Sequence, residues 1–356
     1  MVNLYPLLFT PIYKEMIWGG NRLETMYKRI IPSGKTGESW DISCRTKEMG
    51  IIENGPAAGM SFIDYISQDK TNILGTRLAD NSNFPLLVKI IDANDTLSVQ
   101  VHPSDGYTSE PGKSEMWYIL NPPTNGELII GLKPGITAST LRQAYENGTI
   151  ESCLSRLHVK SGDIVNIPAG LVHALTPGVI VAEVQQNSDI TYRLYDYNRK
   201  DPNGNTRQLH IDDALAVTDF TGQIPKSTVL GLPIKKGENN LVYHIANKHF
   251  GIIKYELRGK LEETSDPAAF SIFTCVEGEA DIMGVHLPVG RSVFIPAGLG
   301  TYNIHPKQGR KCTLLKSFVP DIESDFMFPL ANYGYTNDEI NKNVSITIDS
   351  SIQPAV

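Results

Sequence analysis

The chain has 356 residues, of which 41% are hydrophobic and 20% charged, with a formal net charge of −7 and a sequence pI near 5.7. That length allows two domains, or one large β domain with appendages. The acidic balance, with no Lys/Arg run longer than two residues, argues against nucleic acid and anionic membrane surfaces as partners. No window approaches the roughly 18 consecutive apolar residues of a membrane span. The opening MVNLYPLLFTPIYKEM shows no basic segment followed by a long apolar core and a cleavage site. The four cysteines are widely spaced and form no C-x-x-C pair. A cytoplasmic protein with reduced, mostly buried thiols is expected.

In chain order, residues 1–84 mix short strands and helices. Trp18-Gly19-Gly20 reads as a turn, residues 38–43 as a strand, and residues 61–66 as a short helix with Ser61 as N-cap. From Phe84 onward many short β runs are broken by Gly, Pro, Asn and Asp, the rhythm of a sandwich or barrel. Residues 96–102 alternate strictly: Leu97, Val99 and Val101 on one face, Ser98, Gln100 and His102 on the other. The polar face thus carries two residues able to bind a metal, and Glu115 follows thirteen residues later. A helix over 140–147 closes on Gly148, strands are expected at 183–186 and 191–197, and a short helix at 211–216. Residues 220–240 form a connector, a second β block spans 241–318, and an acidic tail ends in a possible strand at 344–348.

One motif occurs twice. Gly162 to His173 reads G-x5-P-x-G-x2-H, and Gly290 to Thr301 repeats the frame with Thr301 at the histidine position. Such a repeat implies two copies of one domain type. The frame resembles the second motif of the cupin superfamily of small jelly-roll barrels. The resemblance implies a mainly β fold of two cupin-like jelly-roll barrels with a few short helices. The expected division is an N-terminal segment, 1–84, packing on the first barrel; a catalytic, metal-binding barrel, 85–219; the connector, 220–240; and a metal-free second barrel with its tail, 241–356. The candidate ligands in the first barrel are Gln100, His102, Glu115 and His173. Two imidazoles and a carboxylate suit Zn²⁺, Fe²⁺ or Mn²⁺. Gln100 stands where the general cupin pattern has histidine, and its neutral amide oxygen favours a Lewis-acid metal over redox iron. Glu183 and Arg193, ten residues apart, can face one cavity from either side of a bend, or pair as a structural ion pair, as can Asp189 and Arg193.

Together these segments resemble the type I phosphomannose isomerases in their short bacterial form. The likeness rests on Trp-Gly-Gly, Glu-Ser-Trp, Leu-Ser-Val-Gln-Val-His-Pro, Gly-Lys-Ser-Glu-Met-Trp-Tyr, Pro-Ala-Gly-x-x-His-Ala and Gln-Asn-Ser-Asp-x-Thr-Tyr-Arg, which span nearly the whole chain. It implies interconversion of mannose 6-phosphate and fructose 6-phosphate through an enediol, with one Zn²⁺ per chain held by Gln100, His102, Glu115 and His173. By the same resemblance Arg193, Glu183, Asp189 and Lys113 belong to the catalytic pocket, and Lys89 and Ser98 bind the substrate phosphate. The chemistry agrees: the reaction needs a base, a stabilised oxyanion and a grip on phosphate. A lysine inside the apolar run around Lys89 needs an anion. The order of candidate bases is Glu183, Asp189, Lys113. The helical insertion of longer family members is missing, so one pocket wall must be built differently. The expected partner is a small sugar phosphate, and the chain is a monomer or homodimer. Alternatives are a non-catalytic sugar-phosphate-binding cupin and an iron-dependent dioxygenase.

Overall fold

The computed structural model describes residues 2–80, 83–201, 203–221 and 228–347. The described residues are mainly β, as expected, and divide into two compact units. One unit comprises residues 13–40 and 89–228, the other residues 1–12, 41–88 and 229–356.

The first unit is built on two sheets. One runs, in spatial order, Ile164–Ile167, Glu115–Asn121, Ile180–Gln186, Leu86–Asp92, Thr36–Ile42 and Ile12–Gly20. The other runs Tyr192–Tyr195, Val99–Val101, His173–Leu175, Glu127–Leu132 and Leu154–His158. Period-2 alternation divides the side chains between two faces. Leu97, Trp117, Ile119, Leu128, Ile130, Val165 and Leu175 form one core. Val99, Val101, Ile129 and Ala174 point the other way, against Leu141 and Ala144 of the helix Ala138–Glu146 and Ala214 of the helix Ile211–Val217. Both faces of the second sheet are therefore buried over these residues, which explains why the outward valines are not polar. The strand expected over 96–102 is regular only at Val99–Val101, and His102 lies just beyond it.

The second unit repeats the plan. Its larger sheet contains Asn239–Ala246, Gly251–Leu257, Cys312–Phe318, Ser271–Glu277 and Ser292–Ile295 in that order, and its smaller sheet runs Leu261–Thr264, Thr301–Pro306, Glu279–Ile282 and Val285–Pro288. Gly162, Gly170 and Gly290 of the repeated frame take positive φ of 90°, 87° and 79°, where a Cβ would be strained. Ser61 caps the helix Phe62–Gln68, accepting a hydrogen bond from the Asp64 amide at 3.2 Å.

Three expectations change. Residues 18–20 are not a turn but the end of the nine-residue strand Ile12–Gly20. The glycines there serve close approach rather than turning: a Cβ on Gly19 would lie 2.3 Å from the Lys35 carbonyl oxygen, and one on Gly20 would lie 2.8 Å from Asn94 Cβ. Second, residues 1–84 do not form one segment on the first barrel, because 1–12 and 41–84 belong to the second unit. Aromatic packing accounts for this. Phe62 meets Phe9, Phe84 and Phe294 edge-on at centroid distances of 4.7, 5.0 and 5.1 Å. Each such pair is worth about 1 kcal/mol beyond area burial. Third, the connector contains structure: Leu232–Lys236 and Asn239–Ala246 are paired strands, while residues 222–227 lie outside the described part. At the tail, Ser345–Ile346 forms the expected strand, and Ile348 lies outside the described residues.

The thiols are free, three of them buried and Cys44 half-buried. Burial pushes the Cys44 thiol up to about 12, which keeps it unreactive at neutral pH.

Candidate active site

Strand register assembles the site. In the smaller sheet of the first unit, Arg193, Gln100 and His173 are cross-strand partners in one row. In the larger sheet Glu115 is paired with Gln185, and Trp117 with Glu183. Directly opposed residues share a face, so two rows of polar side chains are set by pairing alone.

His102, Glu115 and His173 converge, with one potential ligand atom of each within 4.8 Å of the others, and all three are buried. His102 Nδ1 faces the Ile190 carbonyl at 2.8 Å, and His173 Nδ1 faces the Leu171 carbonyl at 2.8 Å. Those contacts place the proton on each Nδ1 and leave each Nε2 a lone pair. His173 Nε2 then lies 3.3 Å from Glu115 Oε1, and His102 Nε2 lies 3.5 Å from Glu115 Oε2. Burial drives the His173 imidazole down to about 4 and the His102 imidazole well below its usual range, so both stay neutral. Burial, reinforced by Glu183, pushes the Glu115 carboxyl up to about 7. Two imidazole nitrogens with free lone pairs and a carboxylate, all within 4.8 Å of one another, are the ligand types a divalent cation takes. The donor set therefore fits a divalent metal. Gln100 completes it: its side-chain nitrogen is 3.3 Å from His173 Nε2, and a half-turn of the amide presents Oε1 to the same point.

Lys113 stands beside this centre, its Nζ 2.9 Å from Glu115 Oε2 and 3.2 Å from His102 Nε2. The loop bearing it is fastened by the segment read as Gln-Asn-Ser-Asp. Gln186 Oε1 accepts from the Ser114 amide at 2.8 Å, and Ser188 Oγ donates to the Pro111 carbonyl at 2.8 Å.

A second buried cluster follows the Trp117–Glu183 row. Trp117 Nε1 donates to Glu183 Oε2 at 2.7 Å. Lys89 Nζ lies 3.4 Å from Glu183 Oε1, 3.5 Å from Glu38 Oε2 and 4.9 Å from the centre of the Trp40 ring. Burial opposes the Lys89 charge, but Glu38 and Glu183 outweigh it and raise its pKa. Burial likewise opposes the Glu183 charge, and Lys89, Lys113 and the Trp117 bond overcome it and hold the carboxyl low. Lys89 does face anions, as its place in an apolar run requires, and they are the protein's own. Glu183 pairs with Lys89, not with Arg193.

Lys89, Ser98, Gln100, Lys113, Glu183, Asp189 and Arg193 all line one cavity of about 250 Å³. All six catalytic and phosphate-binding candidates thus share one cavity with Gln100. Asp189 is exposed at its edge. Arg193 Nη1 donates to the Gln208 carbonyl at 3.0 Å, and among the described residues no carboxylate lies within ion-pair distance of its guanidinium. Sequence reasoning missed Glu38, Trp117, Arg207 and His210, which also line the cavity. Glu38 shares a strand face with Trp40, whose Nε1 donates to it at 2.6 Å, and only alternation along that strand signalled it. His210 and Arg193 are joined by reciprocal contacts, the His210 amide donating to the Arg193 carbonyl at 2.8 Å and the Arg193 amide to His210 Nδ1 at 3.3 Å. Arg207 is held by Asp196. The segment from Arg207 to His210 thus forms part of the cavity wall.

The catalytic-domain model of type I phosphomannose isomerases matches residues 7–144. GmuF of Bacillus subtilis, a probable mannose-6-phosphate isomerase, is 38% identical over 263 residues, 72% of this chain and 81% of GmuF. The mannose-6-phosphate isomerase ManA of the same organism is 34% identical over 308 residues, 84% of this chain and 95% of ManA. A crystal structure of mannose 6-phosphate isomerase from Bacillus subtilis superposes with a TM-score of 0.77 at 32% identity, covering 88% of this chain and 99% of that one. A mutant phosphomannose isomerase from Salmonella typhimurium, at 18% identity and a TM-score of 0.68, shares the fold.

Proposed function

This chain belongs to the type I phosphomannose isomerase family, and from that premise we propose that it interconverts mannose 6-phosphate and fructose 6-phosphate with one zinc ion held by Gln100, His102, Glu115 and His173. The observation that carries the reading is the convergence of two neutral imidazoles on a buried carboxylate, in contact with Gln100 and Lys113, which line a cavity together with Glu183 and Arg193. Bound there, zinc would act as a Lewis acid toward sugar oxygens. Imidazole and carboxylate ligands with a neutral amide suit it.

The chain's own residues supply the rest. Lys113 is positioned to donate a hydrogen bond to an oxygen that gains charge near the metal centre. Glu183 carries the proton between C1 and C2: Trp117 holds its Oε2 and Lys89 lies 3.4 Å from its Oε1, which together fix its orientation. Its lowered pKa makes it a weak base, which places the work of acidifying the substrate proton on the oxyanion-stabilising groups. Asp189, at the cavity edge, is the second carboxylate within reach of the substrate. Arg193 has no carboxylate partner within ion-pair distance and is the strongest anchor for phosphate, with Ser98 in the same cavity. Lys89 contributes positive field there while shared between two carboxylates. The test is enzymatic: purified protein with its metal measured, mannose 6-phosphate supplied, and fructose 6-phosphate read by a coupled reaction. Full metal occupancy without turnover would favour a sugar-phosphate-binding module instead.

A further inference from the structure

The second barrel has lost the metal motif but not a polar interior. Register aligns the two barrels residue by residue. In the first, Val165, three residues after Gly162, pairs with Trp117, which pairs with Glu183. In the second, Val293, three residues after Gly290, pairs with Phe273, which pairs with Lys316. Lys316 therefore occupies the place of Glu183, with the charge reversed. It lies on the face of Leu314 and Phe318, both in the core of this barrel. The smaller sheet adds to it. Thr301, which holds the histidine place in the sequence frame, is exposed and bonds to Thr264 Oγ1 at 3.2 Å. The inward pair one step on is Glu263 and Tyr302.

Lys316 Nζ sits 5.1 Å over the Phe318 ring, and solvent reaches the side chain although Leu314, Ile253 and Phe273 beside it are buried. The charged groups that act on it are Glu263, Asp325, Asp266 and Lys236. Each carboxylate is already engaged: Asp325 and Asp266 with Arg77 at 2.8 and 3.4 Å, and Glu263 with Lys236 at 3.3 Å and the Tyr255 hydroxyl at 3.4 Å. Among the described residues none lies within ion-pair distance of Lys316. Burial, only partly offset by Glu263, lowers its pKa. A methionine of similar volume would be more stable at this place. An ammonium without a counter-ion, inside a barrel and open to solvent, is the arrangement of a ligand site.

We propose that the interior of the second barrel is a second small-molecule site, for a hydroxylated anion of the sugar-phosphate or sugar-acid type. Lys316 takes the anionic group, Glu263 and the Tyr302 hydroxyl meet sugar hydroxyls, and the Phe318 ring faces the C–H surface. This does not depend on the isomerase reading, since none of these residues lines the metal cavity.

The experiment is lysine acetylation by limiting acetic anhydride on the intact, metal-loaded chain, read at Lys316 by mass spectrometry. Glucose 6-phosphate, gluconate and inorganic phosphate are the probes. A sugar phosphate or sugar acid present at about ten times its Kd is expected to slow acetylation of Lys316 about tenfold. Protection by glucose 6-phosphate alone assigns the anionic group as phosphate, and by gluconate as carboxylate. Tyr302→Phe should weaken protection by the sugar ligand and leave that by inorganic phosphate unchanged. Lys316→Met should raise the thermal midpoint, abolish binding at this site and leave kcat/KM for isomerisation unchanged. Equal acetylation with and without every probe overturns the proposal. So does a Lys316→Met chain that is less stable or fails to fold, because Lys316 would then be structural.

Discussion

His102, Glu115 and His173 could hold a metal ion, and the surroundings of the three set the sign of the pH dependence expected for its binding. The imidazoles need no deprotonation near neutrality, since burial holds His173 at about 4. Glu115, raised to about 7, does. Below that pH the metal must displace one carboxyl proton, so affinity should fall about tenfold per pH unit. Competition with a chelator between pH 5 and 7 checks this, and a slope of two protons would mean the imidazoles titrate instead. His173→Ala should remove the metal and the activity together while far-UV circular dichroism stays unchanged; retained zinc would refute the ligand assignment. Glu183→Gln separates chemistry from metal binding. It should lower kcat by about two to four orders of magnitude with metal content intact, and Asp189→Asn should cost less. The reverse order would move the proton carrier to Asp189.

At the scale of elements, the site is held by cross-strand rows and one fastened loop. Gln186 anchors the Ser114 amide at 2.8 Å and reaches Asp105 Oδ1 at 3.0 Å. Gln186→Ala leaves the Ser114 amide without its side-chain acceptor, a loss of about 1–3 kcal/mol. Because Lys113 rides on that loop, kcat should drop while metal content holds; an unchanged kcat would show that Lys113 needs no such support. Alternation at Val99–Val101 and the repeated glycine frame made the barrel and its ligands legible in the sequence, because register places Gln100 between His173 and Arg193, whereas Leu97 packs in the other core and not with Val99 and Val101 as the strict alternation predicted. Partners chosen by tertiary contact were not legible. Nothing local to Lys89 named Glu38 and Glu183 as its anions, and Trp18-Gly19-Gly20 looked like a turn because sequence does not show that the Lys35 backbone presses on Gly19. Thr301 holds the histidine place of the repeated frame, but its exposure and the inward Tyr302 emerged only from the structure.

Across the whole molecule, the two barrels share a plan and divide the chemistry. Motif spacing revealed the duplication, whereas the assignment of residues 41–84 to the second unit depends on aromatic contacts such as Phe62 with Phe294. All three tryptophans, Trp18, Trp40 and Trp117, fall in the first unit, so their fluorescence reports on the barrel that contains the His102–Glu115–His173 cluster. Metal present at about 100 times its Kd adds about 2.7 kcal/mol to whatever unfolds with the site. Chelation should therefore lower the tryptophan-reported midpoint, and an unchanged midpoint would place the metal elsewhere. The most direct test of the whole account is the rate of mannose 6-phosphate conversion to fructose 6-phosphate in protein of measured zinc content, before chelation, after it, and after zinc is restored. The account predicts turnover with about one zinc per chain, its loss on chelation and its return with zinc. Turnover that persists in fully zinc-free protein, or no turnover at full occupancy, would contradict it.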